Sequence, residues 1–111
     1  MRSLIIIMKK NKMKWLVIVS LIIVFTILHA TPSIALKTHV FAMGYPIAAI
    51  TTGIIEDDFH NKVDKEKFAK INAKAYTLTK PPIEKATQGE LRNYLVRKIG
   101  IWYFAEYLGE G

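Results

Sequence analysis

Cysteine is missing from all 111 residues, and serine occurs only as Ser3, Ser20 and Ser33. The first absence excludes disulfide staples, cysteine nucleophiles and the lipid-bearing cysteine that follows some bacterial signal sequences. The second leaves residues 36–111 without a serine for a nucleophilic triad. Glycine-rich phosphate loops and paired metal-ligand motifs such as His-Glu-x-x-His are also missing. These gaps remove the commonest routes to hydrolase, nucleotide-binding and zinc chemistry. A domain of some 76 residues without disulfides buries little apolar surface, so a partner subunit, self-association or a membrane is expected to add burial.

Acidic residues are missing from the amino-terminal third. Arg2, Lys9, Lys10, Lys12 and Lys14 precede the first apolar run, whereas all nine acids lie beyond Leu36 among the other 11 basic residues. The net charge of +7 therefore sits mostly at one end of the chain. A phosphate-binding surface needs clustered cations in the folded domain, so no nucleic acid partner is expected.

Trp15–Leu28 is a run of 14 uncharged residues behind that lysine cluster. As a helix it reaches about 21 Å, shorter than the roughly 30 Å hydrocarbon core of a bilayer. Pro32 follows, and Ser33-Ile34-Ala35 puts small residues where signal peptidase reads. Residues 1–35 thus read as a signal peptide cleaved before Leu36, or as a retained amino-terminal anchor. The apolar stretch Leu4–Ile7 is unusual ahead of the lysines, and a start at Met8 gives a more ordinary leader.

Residues 40–55 form a second uncharged run, interrupted by Gly44, Pro46, Thr51, Thr52 and Gly53. Read as soluble structure, Thr38–Met43 suits a strand, Gly44-Tyr45-Pro46 a turn, and Ile47–Ile55 a buried strand or short helix. On that reading Ile50 is core, and Ile50→Lys unfolds the domain. Read as a membrane helix, the run makes a hairpin with the first segment and returns the carboxy terminus to the cytoplasm.

Asn61–Ala75 has a helical pattern, with Asp64 as N-cap and Phe68 and Ile71 on one face. Tyr76–Thr79 alternates like a strand, which Pro81 and Pro82 end. Thr87-Gln88-Gly89-Glu90 matches a capping box and predicts a short helix, then a final strand. Two strands, Tyr94–Ile99 and Ile101–Tyr107, meeting near Gly100 are the competing reading. The fold class expected is α+β, one small domain over 36–111.

Glu56, Asp57, Asp58, His60, Asp64 and Glu66 form the densest ionisable cluster. Its spacing misses the EF-hand pattern and reads as a solvated loop; acid–base work by His60 with Asp57 or Asp58 would need a pocket. His39 and Met43 offer one imidazole and one thioether, too few for a copper site. Trp102-Tyr103-Phe104 with Tyr107 reads as core on the inward side, or as a partner surface or membrane-interface belt. No catalytic, cofactor or metal residue is assigned. The expectation is a non-enzymatic accessory or interaction protein, secreted or membrane-associated outside the cytoplasmic membrane. The alternative is a two-helix membrane hairpin serving a membrane complex.

Overall fold

The computed structural model describes residues 2–109, with side chains described from Lys9 onward. The lysine-led apolar run forms helix α1 (Arg2–Leu28). Its Lys9–Leu28 portion is the one helix among the described residues long and apolar enough to cross a membrane, and none of it is buried.

Thr31 and Pro32 start the next helix. The Thr31 Oγ1 accepts from Ile34 N at 3.1 Å, and Pro32 occupies the first turn, where its missing N–H costs nothing. Helix α2 (Pro32–Ala42) therefore includes most of Thr38–Met43, so the strand expected there is not formed. Leu36, Val40 and Met43, at helical spacing, pack on one side of α2, and their burial outweighs the strand preference of Thr38 and Val40. Gly44, at φ +100°, turns the chain, and Pro46 opens the short helix α3 (Pro46–Thr51). Ala49 is the buried residue of α3, whereas Ile50 is 73% exposed. Ile50→Lys therefore leaves its charge at the surface, contrary to the expected core position. Residues 40–55 are divided among α2, α3 and the first strand, β1 (Ile54–Glu56).

Two short helices follow where one long helix was expected: α4 (Asp58–Val63) and α5 (Lys65–Lys70). Asp64 separates them and makes no side-chain capping bond. Asp57 is the working cap, accepting from His60 N at 3.1 Å. Phe68 is buried with Ile71 packed nearby, as the shared face predicted. Asn72, at φ +51°, redirects the chain into β2 (Ala73–Leu78).

The capping box at Thr87–Glu90 starts no helix. It lies in a loop held by Glu84 N to Gly89 O (2.9 Å) and by a bridge between Ile83 and Glu90. The chain then forms β3 (Asn93–Ile99) and β4 (Trp102–Tyr107), joined through Gly100 and Ile101. Gly100, at φ +63°, occupies the first position of a two-residue hairpin turn, where glycine is favoured. The paired-strand alternative is what forms.

All neighbours in the β1-β2-β3-β4 sheet are antiparallel, so the fold is α+β. Tyr94 and Val96 face α2 and α3, in a core with Leu36, Val40, Ala49 and Leu78. Leu95 faces the opposite side, against Phe68 and Ala75. Helices thus cover both faces of the central strands, so Tyr94-Leu95-Val96 is apolar without alternation.

Candidate membrane-proximal interface

The aromatic segment predicted to be notable splits by strand alternation. Tyr103 packs on the α2 side of the sheet, against the main core. Trp102 and Phe104 point the other way and meet the last turns of α1. The Trp102 Nε1–H donates to Thr26 Oγ1 at 3.2 Å, and its ring stands edge-on to Phe25 at 5.1 Å. Phe104 lies 5.0 Å from the His29 ring and 6.0 Å from Phe25, while Phe25 and His29 stack at 4.1 Å. Tyr103 N–H donates to His29 O at 2.8 Å, so the chain leaving α1 pairs with the open edge of β4. From the α2 side, Thr38 Oγ1 donates to Leu28 O at 3.2 Å. Two loose carbonyls at the end of the apolar run, those of Leu28 and His29, are thereby satisfied by the domain.

The bond between Ala35 and Leu36 lies inside α2, and both residues are buried, Leu36 with 0% exposure. Cleavage there removes the Thr31 cap and puts a charged amino group on a core residue, which is costly. Around the end of α1 the surface is apolar. Ile99 (54% exposed) and Ile101 (72%) form the tip of the β3–β4 hairpin. A groove of about 510 Å³ runs between Leu28, Phe41 and Ile50, with Lys37 and Thr38 also on its wall.

The acidic cluster is dispersed by the fold. Asp57 and His60 are buried side by side, His60 Nδ1 in a short contact with Asp57 Oδ2, so the pair caps and ties down α4. Glu56 pairs with Lys74 at 2.6 Å on the sheet surface, and that bond raises the Lys74 pKa. Asp58 and Glu66 lie in the first turns of α4 and α5. Among the described residues no group of three His, Asp or Glu is placed to hold one metal ion. His39 sits against the Tyr94 ring at 6.0 Å, and burial lowers its pKa against a smaller opposing pull from Glu106. Met43, one turn on, packs into the core instead of opening a ligand site.

A second groove of about 590 Å³ crosses the α2 side of the sheet between Lys74, Tyr76, Lys98 and Tyr103. Lys98 Nζ lies 5.7 Å from the Tyr103 ring centre, and Lys74 is already paired with Glu56. Both cations are thus engaged within the fold. Among the described residues, buried Tyr94 is the largest fully enclosed side chain; its hydroxyl donates to Leu91 O at 2.9 Å, and burial pushes its pKa up to about 12. Sequence reasoning missed the contact of Trp102 with Thr26. Its only sequence trace was an aromatic run whose partner lay 76 residues away.

A family model described as the YjcN family matches residues 8–109. No curated protein and no solved structure matches the chain.

Proposed function

The chain belongs to the YjcN family, and we propose that it is a membrane-anchored, non-enzymatic accessory protein. On this reading α1 is retained and holds the α+β domain against the outer face of the cytoplasmic membrane. The supporting observation is that the apolar helix ends inside the domain. Its last turns are bonded to β4 through Thr26 and His29 and to α2 through Leu28. A leader destined for removal has no need of those bonds, and the scissile position suggested by Ser33-Ile34-Ala35 is enclosed in α2.

Lys9, Lys10, Lys12 and Lys14 stay on the cytoplasmic side by the positive-inside rule, which sends the domain outside. Phe59 and Val63, one turn apart on α4 and exposed, favour a role in contacts with other proteins. The test uses the full chain with a carboxy-terminal tag. Intact mass should show α1 retained in carbonate-resistant protein, with the tag removed by protease added outside. A soluble product starting at Leu36, or a tag protected inside, overturns the reading.

A further inference from the structure

We propose that the tip of the β3–β4 hairpin, Ile99-Gly100-Ile101-Trp102, dips into the bilayer beside α1 and seats the domain on the lipid surface. The proposal rests on the retained-anchor reading and adds the surface by which the domain meets the membrane. The depth of the hairpin follows from its contacts with the helix. Both rings approach Phe25, but Phe104 also lies against His29, just past the end of α1, whereas Trp102 is bonded to Thr26 within it. Moving from Phe104 to Trp102 therefore follows α1 back toward its middle. Thr26 is two residues inside the last helical residue, Leu28, about 3 Å along the axis. Ile101, in the turn that precedes Trp102, lies at the tip on that same end of the hairpin. Whatever surrounds Phe25 on a membrane helix also surrounds the hairpin tip.

The tip has the composition for that position. Ile99 and Ile101 are exposed on the domain, and the cations near the tip, Lys98 and Lys74, line a groove that also reaches Gly100. A tryptophan whose indole N–H is bonded and whose ring lies on apolar neighbours suits the membrane interface. The length of the anchor points the same way. The uncharged run Trp15–Leu28 spans about 21 Å of a roughly 30 Å core, so its carboxy-terminal end is drawn inward. The hairpin bonded to that end is drawn in with it. The same geometry leaves Ile83 in the solvent, because its loop joins β2 to β3 at the opposite end of the sheet.

The cysteine-free chain permits single-site labelling. Full-length Ile101→Cys and Ile83→Cys proteins, each carrying a nitroxide, are reconstituted into phosphatidylcholine–phosphatidylglycerol vesicles. The Ile101→Cys label should collide more with oxygen than with an aqueous nickel chelate, and the Ile83→Cys label should show the reverse. In a Trp15→Phe background, Trp102 emission should be quenched by shallow brominated lipid. Adding Ile101→Asp should shift that emission to the red without changing the urea midpoint. Equal aqueous access at positions 101 and 83, in carbonate-resistant full-length protein, overturns the hairpin proposal while leaving the anchor intact. Extraction of the chain by carbonate overturns the anchor reading and the hairpin proposal together.

Discussion

Two regions are rich in apolar residues and are treated in opposite ways. Trp15–Leu28 turns valine, leucine and isoleucine outward all round a helix, and nothing in the fold covers them. Tyr94-Leu95-Val96 is as apolar, yet helices lie over both faces of its strand. In α1 the backbone bonds close within the helix except at its end, where the Leu28 carbonyl accepts from Thr38, so most of its length needs no protein neighbour. In β3 the bonds go to β2 and β4, and the side chains find their cover across the chain. Similar hydrophobicity thus makes a helix that the fold leaves unburied in one place and a core element in the other. The first region meets the sheet at β4, the neighbour of β3, where Trp102 touches Phe25 and Thr26.

The comparison is broken most severely by placing one charge in each region. Val96→Asp should leave a carboxylate in the main core and cost about 3–5 kcal/mol, much of the stability of so small a domain. Urea unfolding of detergent-solubilised protein, followed by circular dichroism, would report this loss. Ile22→Arg in α1 should leave the same midpoint unchanged. Its cost, about 2.5–3.5 kcal/mol, should appear in insertion and be read as protein lost from the carbonate-resistant fraction. A domain unfolded by Ile22→Arg would show that α1 belongs to the soluble core after all.

A smaller effect sharpens the account of the covered region. Tyr94→Phe keeps the ring in place but leaves the Leu91 carbonyl without its donor. The expected loss is about 1–3 kcal/mol in the urea experiment, with membrane integration unaffected.

The smallest effect is on pH dependence. Burial lowers the His39 pKa below 6.5, so the unfolded chain takes up a proton there more readily than the folded one. The contribution to stability is present above pH 6.5 and is lost as pH falls through the lowered folded value. The urea midpoint should therefore fall on acidification from neutral pH, and His39→Gln should weaken that slope. An unchanged slope in the variant would remove His39 from the account.

Legibility differed between elements for physical reasons. The helix of residues 65–70 was visible because Phe68 and Ile71 share one face and the charges share the other. The α2 helix was hidden behind the strand preferences of Thr38, Val40 and Phe41, although Thr31-Pro32 and the spacing of Leu36, Val40 and Met43 were available signals. The Thr87–Glu90 box misled because a local capping pattern has no force unless the residues after it gain from being helical. Here Tyr94 and Val96 gain more by pairing in the sheet. The dispersal of the acidic cluster was legible only as a solvated loop, not as the buried Asp57–His60 pair that anchors α4.

What the residues determined on their own is local or compositional. The lysine-led apolar run makes a membrane-competent helix, Pro32 and Gly44 punctuate the chain, and the lack of cysteine, with no serine in residues 36–111, closes whole classes of chemistry to the domain. Each of these depends on neighbours a few positions apart or on what is missing altogether. Tertiary structure alone decided that β3 is a central strand and that Phe25, Thr26 and His29 close on Trp102, Tyr103 and Phe104. A strand covered on both faces shows no period to read, and contacts between distant segments depend on how the whole chain closes around its core.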